Sequence, residues 1–461
     1  MNSNGFGFSF NFGGNDDDDD RDGRNSNNPF GAGGLGDMLN QFGQMLSGMG
    51  SSMNSPDGQG PVNYALAERI ARQQIGKPTA MSASDSSAVE NAVRMVEMWL
   101  DDATILPASG NKVEAWNEEE WLTKTLPMWK RMVTPVAENM NNAQMESLPE
   151  EAREMVGPMI HMMSQMSGMN FGMQLGNALG DLASQALTGS DFGLPIAPAG
   201  VTAILPKNLA HVSGSLGVSE QEALVYLAAR EAARQRLFKH VPWLIERLVS
   251  SVEEYASGLV IDTSHVEEAM RELNLESGDP SAIQDAMQRL QGMDMSPRIS
   301  SRNAGAVSRL ETLLALIEGW VEYVVTEAMG ERVPATQALN EAWRRRRATG
   351  GSAEKAFSSV VGIEFAAPKV AEAQELWRRV TVAVGASRRD RVWDHPDFLP
   401  VAEDLDNSAE FIDGLLDSAS TDDFDPIAEI TALEEMLANE AKEEDPESKE
   451  NPTDPESDSD S

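Results

Sequence analysis

The sequence predicts a mainly α-helical, multi-helix protein with little β structure, flanked by disordered tails. Three observations predict it. Apolar residues recur at helical spacing between about residues 60 and 415, with very little strict alternation. Both ends have compositions that cannot bury enough apolar surface to offset chain entropy: Gly, Asn, Ser and Met at 1–60, and Asp, Glu, Ser and Pro at 416–461. Between them the chain can build a core, since 41% of its 461 residues are hydrophobic. The expected organisation is therefore a tail at 1–60, a helical domain at 61–415 and an acidic tail at 416–461.

Charge and composition narrow the function classes. The formal net charge is −38, with 74 acidic against 36 basic residues. Nucleic acids and anionic membranes call for a basic surface, so neither is an expected partner. Cysteine is absent, which leaves no disulfide or thiolate chemistry and fits a reducing cytoplasm. The start, MNSNGFGFSFNFGG, lacks the basic and apolar regions of a signal peptide. Residues 157–180 carry no Asp, Glu, Lys or Arg, yet they include Gln165, Asn170, Gln174 and Asn177. Amides facing lipid are costly, so no membrane span is expected there.

The elements follow in order. Within the first tail, Leu35, Met38, Leu39, Phe42 and Leu46 would share one side of a short helix, a transient structure or a docking peptide. Folding is expected from about Pro61, with a first helix presenting Tyr64, Leu66, Ile70 and Ile75. A second runs from Ser84 to Leu100, capped by Ser84 or Asp85, with Val89, Val93, Val96, Trp99 and Leu100 inward. Trp116, Trp121 and Trp129 mark a helical region expected to break at Pro127, and the indoles read as core anchors.

Gly168, Gly172, Gly176 and Gly180 recur every four residues, hence on one helix face. Each costs about 1 kcal/mol relative to Ala in a helix, so another backbone is expected to approach closely. That backbone belongs either to this chain or, in a self-association face, to a second copy. VTAILPKNL reads as a short strand, followed by helices at about 219–239 and 242–257. Residues 262–291 read as two short helices split at Gly278-Asp279-Pro280. Helices then follow at about 304–329, 334–349 (with Arg344 to Arg347), 352–362 and 368–385, and Asp390–Pro400 reads as a loop.

The most informative stretch is Arg230-Glu231-Ala232-Ala233-Arg234. It has the spacing of an H-E-x-x-H helix, in which two His at i and i+4 hold a zinc ion and the Glu activates its water. Here guanidinium groups stand at both ligand positions, and a guanidinium offers a cation no lone pair. Taken as pattern alone, AREAARQR is also an ordinary wet helix face. The five histidines form no close pair at ligand spacing. His240 precedes the turn at Val241-Pro242 and reads as structural. His395, beside Asp394 and Asp397, could orient a loop or serve a hydrolytic site.

FGMQLGNALG, REAARQRLFKHVPWL, LLALIEGWVEYVV and VWDHPDFLP occur in this order. On these four segments the chain resembles an actinobacterial family of zincin-like hydrolases, often named zinc-dependent metalloproteases. The resemblance covers about 60–415 and implies a zincin-like helical domain. It also implies that Arg230 and Arg234 stand where intact relatives have ligand histidines, and that Glu231 holds the general-base position. The third ligand it implies is Glu318, with Glu322 one turn away on the same face. His240 and His395 are candidates to support the site from outside. Two guanidiniums carry the same +2 as zinc held by two neutral His, and they are expected to reach Glu318 and Glu322 in forked pairs.

Three readings follow. The first is a pseudo-protease scaffold without a working zinc site that binds a protein or peptide. The second is an active zinc-dependent hydrolase with non-standard ligands. The third is an assembly protein acting through its glycine face and tails. The first is preferred, because losing two ligands is hard to reconcile with turnover; no cofactor is assigned, zinc being a property of the family.

Overall fold

The apolar periodicity is realised as twelve α-helices and four short strands among the described residues of a computed structural model; these are 60–146, 157–191, 193–262, 298–349, 358, 360 and 369–422. The protein is mainly α-helical, as the sequence predicts. The expected helix at 35–46 lies outside the described residues, as do all of 262–291 but Asp262 and nearly all of 352–362.

Helix α1 (Tyr64–Ile75) lies along α4 (Gly157–Gln185), and the four glycines are the reason it can lie so close. A Cβ built on Gly168 would stand 2.7 Å from the Gly60 carbonyl oxygen, and one on Gly172 2.5 Å from that of Asn63. On Gly176 it would meet the Ala67 oxygen at 2.7 Å, and on Gly180 the Gln74 side chain at 2.6 Å. The Asn63 backbone N–H donates to the Gly168 carbonyl across this seam, at 2.8 Å. The stripe is thus the seat of α1 within one chain; in this structure the internal alternative is the one realised, rather than a face open to a second copy.

Helix α2 (Ala83–Leu100) buries Val89, Val93, Val96 and Leu100. Its cap is Ser82, two residues before the expected Ser84, with Asp85 returning the hydrogen bond in a reciprocal box. Helix α3 (Glu118–Glu146) runs through both Pro127 and Pro135, so the expected break at Pro127 does not occur. Pro127 is exposed, and so are Thr123 and Arg131, whose carbonyls lose their helical donors to the two prolines. Water can satisfy those carbonyls, while the opposite face anchors the helix with Trp121, Trp129, Met132 and Val136. Trp116, just before α3, is also fully buried.

The β structure is small. β1 (Lys112–Ala115) pairs in parallel with β2 (Val201–Ile204), Lys112 opposite Val201 and Ala115 opposite Ile204. β2 is the short strand read from VTAILPKNL; its partner was not foreseen. Helix α5 (Pro206–Leu216) follows, and then α6 (Glu220–His240), capped by Ser219. Helix α7 (Leu244–Ser257) leads into the antiparallel pair β3 (Leu259–Asp262) and β4 (Arg298–Ser301). Helix α8 (Ala304–Met329) has the bounds expected from sequence. Helix α9 (Thr336–Thr349) carries Arg344 to Arg347.

Helix α10 (Val370–Arg391) turns sharply at Gly385, where φ is 81°, so the expected end at 385 is a kink, and the helix continues beyond it to Arg391. The expected loop 390–400 is two 3-10 turns, Val392–Asp394 and Pro396–Phe398. Helices α11 (Ala402–Asp406) and α12 (Ala409–Asp422) follow, so the boundary drawn at 415 falls inside a helix. Among the described residues, no helix is long and apolar enough to cross a membrane.

Helices α6 and α8 lie at the centre. From Val225 to Phe238 every residue of α6 is buried, and so is every residue of α8 from Leu313 to Val325. Ala228, Ala229, Ala232 and Ala233 keep α6 thin enough for neighbours on all sides. The glycine seam makes a direct prediction. Gly172→Ala should lower stability by about 1–3 kcal/mol through overpacking, although Ala is the better helix former by about 1 kcal/mol. Urea unfolding midpoints measure this, and an unchanged or higher midpoint would mean that α1 does not sit on the stripe.

Candidate functional site

Three charged side chains of α6 face inward at one level, and the packing of α6 allows no escape to water. Arg230, Glu231 and Arg234 are each 0% exposed, which rules out the wet-face reading of AREAARQR. Both guanidiniums converge on Glu318 of α8. Nη2 of Arg230 donates to Glu318 Oε2 at 2.7 Å. Arg234 grips the same carboxylate as a fork, Nε to Oε1 at 2.6 Å and Nη2 to Oε2 at 3.0 Å. Such charge-assisted, planar pairs are among the strongest hydrogen bonds available to side chains.

The sequence-based expectation of pairs to both Glu318 and Glu322 is thus half met. Glu322, one turn further along α8, points towards α9 and accepts from Nε of Arg344 at 2.7 Å. The helical register explains the split: Glu318 lies level with the two arginines, and Glu322 lies level with α9.

The other face of Arg230 is aromatic. Tyr226, one turn earlier, and Trp343 of α9 place their rings 5.8 and 5.3 Å from its guanidinium carbon. The Tyr226 hydroxyl donates to Asn340 Oδ1 at 2.8 Å and receives Arg230 Nη1 at 3.4 Å. Arg230 is held firmly protonated: burial opposes its charge, but the Tyr226, Glu318 and Glu322 groups outweigh it. Not every donor is matched, since Nε of Arg230 has no hydrogen-bond partner among the described residues.

The two central carboxyls move in opposite directions. Burial pushes Glu318 up, but the Arg234 and Arg230 charges outweigh it and hold it well below the usual carboxylate range. Burial also pushes Glu231 up, and there it prevails over the Arg234 charge and the hydrogen bond from Ser190. The reason is distance: Arg234 Nη1 stands 3.8 Å from Glu231 Oε2, beyond a hydrogen bond. Glu231 is served mainly by neutral groups. Oγ of Ser190 donates to Oε2 at 2.6 Å, and Nε2 of Gln235 to Oε1 at 3.0 Å. Gln235 is itself fixed by Asn111 Nδ2 at 3.0 Å.

Arg230, Glu231, Arg234 and Glu318 are therefore brought together, with Glu322 at the edge. His240 and His395 do not join them. His240 is exposed at the end of α6. His395 is exposed between the two 3-10 turns, where its Nδ1 accepts from the Asp397 backbone at 3.2 Å. Sequence reasoning missed Tyr226, Ser190, Gly193, Gln235 and Trp343. Tyr226 and Gln235 were within reach, being one turn from Arg230 and Glu231. Ser190 left only a faint signal, in the glycines at 189 and 193.

A helical domain with an arginine–glutamate–arginine clasp between two central helices is the class that fold and site define. A profile of the Zincin-like metallopeptidase family matches residues 62–412, and the chain belongs to that family. Among solved structures it is similar to a "putative hydrolase with a novel fold" from Chloroflexus aurantiacus, at 18% identity and a TM-score of 0.52. That match covers 76% of this chain and 97% of the other, and it speaks for the fold. No curated protein matches the chain.

Removing one partner of a buried charge cluster leaves charges unpaired in a dry site. Glu318→Gln should therefore cost about 3–5 kcal/mol of stability, read from urea unfolding at neutral pH. The pH dependence has a definite sign. A carboxyl depressed in the folded state contributes fully above its unfolded value near 4.5, and the contribution falls away as pH drops below it. The Glu318→Gln protein should lack that part of the acid slope; identical slopes in the two proteins would show that Glu318 is not depressed by folding.

Proposed function

We propose that this member of the family is a pseudo-peptidase: a helical scaffold that keeps the zincin frame without a working zinc centre and binds a protein or peptide segment. One observation carries the reading. At the two positions spaced like the histidines of H-E-x-x-H stand guanidiniums that are 0% exposed and bonded to Glu318. Zinc needs neutral imidazole, thiolate or carboxylate donors. A guanidinium has no lone pair to offer, and both oxygens of Glu318 already receive N–H donors. Among the described residues, no group of three His, Asp or Glu side chains is placed to hold a metal ion. The residues present do not fit zinc.

Charge explains why the frame survives the exchange. A zinc ion between neutral histidines and two guanidiniums each bring +2 to Glu318, so the third-ligand position keeps its counter-charge. Glu231 retains the general-base position implied by the motif, but its hydrogen bonds serve Ser190 and Gln235. The absence of cysteine and the net charge of −38 suit a cytoplasmic protein whose partner is not a nucleic acid.

Elemental mass spectrometry after exhaustive dialysis tests the reading. The natural chain should hold less than about 0.1 equivalent of zinc, and the Arg230→His/Arg234→His variant about one. Stoichiometric zinc in the natural chain would instead favour an active hydrolase with other ligands.

A further inference from the structure

The glycine stripe turns one face of α4 towards α1, and another face of the same helix carries thioethers into water. Met166 is 60% exposed and Met173 46%, and Met169 between them is half-buried. The spacing i, i+3 and i+7 puts the three on one side of the helix. Among the described residues, Met166 and Met173 are the only two strongly exposed large hydrophobics that share a helix.

The surroundings suit a soft ligand. No Asp, Glu, Lys or Arg occurs from Gly157 to Gly180, so this stretch offers no hard anionic donor and no fixed cation to repel an incoming one. Thioether sulfur is a neutral, polarizable donor that selects ions such as Cu(I) over calcium or magnesium. On a helix surface, positions three and four apart hold their Cβ atoms about 5–6 Å from each other. Met166 and Met173 are roughly 10 Å apart along the axis, with Met169 between them. Each side chain is unbranched with three rotatable bonds, so the sulfurs of Met166 and Met173 can swing towards that of Met169. Asn170 lies within the same face and exposed Asn177 one turn beyond Met173, which interrupts the strip and makes it a poor seat for an apolar partner. The chain has no cysteine to compete for a soft ion, and its net charge of −38 draws cations to its surface.

We propose that Met166, Met169 and Met173 form a surface site for a soft monovalent cation of the Cu(I) class. The site is built on a different element from the clasp of Glu318 and does not depend on the pseudo-peptidase reading. Its three donors are neutral and carry no proton to release, so its affinity does not fall when histidines become protonated.

Silver(I) nitrate in chloride-free buffer supplies a redox-inert ion of this class, and isothermal titration calorimetry on the full chain tests the site. The natural chain should take up about one equivalent in its tightest event, equally well at neutral pH and at about pH 5, where histidine is protonated. Met166→Leu/Met173→Leu keeps the apolar volume at two exposed positions. It should weaken that event by more than about tenfold, since losing even a supporting partner of a ligand costs about that much. Met98→Leu, at another exposed methionine, should leave the event unchanged. In natural chain labelled at the methionine methyl groups, the signals of Met166, Met169 and Met173 should shift together as the first equivalent is added. No binding, or binding that the double variant retains, overturns the site. Loss of binding at the lower pH assigns the ion to histidine and overturns it equally, as do methyl shifts confined to other methionines.

Discussion

The clasp of Glu318 by Arg230 and Arg234 is the interaction on which the other features depend. It takes three charges out of water, and burial of that kind is costly unless every charge is matched. The matching sets the geometry. Because Arg230 and Arg234 are one turn apart on α6, Glu318 has to sit level with both, which fixes the register of α8. With that register set, Glu322 faces α9 and meets Arg344, and Trp320 meets Asp390 with its indole N–H at 2.9 Å. A clasp of this kind adds little net stability compared with apolar packing, but it admits very few alternative alignments.

The two buried glutamates show how the same side chain acquires different chemistry. Glu318 and Glu231 are both almost wholly removed from solvent. Glu318 receives three N–H donors from cations and is held ionised. Glu231 is met by a hydroxyl and an amide, and its proton is held more tightly than in water. Desolvation acts on both; proximity to a guanidinium decides which way each one moves.

Much of the fold could be read from the sequence, and the reasons differ by element. Helix α8 announces itself because its apolar residues run for many turns and it starts and ends at distinct signals. The indoles at 116, 121 and 129 were readable as core because large aromatics dominate burial. Pro127 misled because a local rule was applied where the cost is small, on a solvent-facing side of a helix anchored by Trp121 and Trp129. β1 was missed because four residues carry no usable period, and its partner is far away in sequence. The same limit hid Ser190: its bond to Glu231 spans 41 residues, and nothing local in T-G-S-D-F-G foretells it. Spacing picked out Arg230 and Arg234 as a pair, but only three-dimensional packing made them neighbours of Glu318 and not of Glu322.

Asp390 gives the architecture a temporal side. Its carboxylate receives the Thr104 hydroxyl at 2.6 Å and the Ile105 N–H at 2.9 Å, across 286 and 285 residues of chain, together with Trp320 and Arg389. Helix α8 is thereby braced from the side by a residue 70 positions further along the chain than Trp320. Synthesis delivers Arg230 and Arg234 well before Glu318, and Glu318 well before Asp390. Until then Arg230 and Arg234 lack the carboxylate that clasps them in the folded protein, and α8 lacks its bond to Asp390. Truncation upstream of Asp390 therefore removes the brace of α8 while leaving Arg230, Arg234, Glu318 and the helices that carry them in the chain.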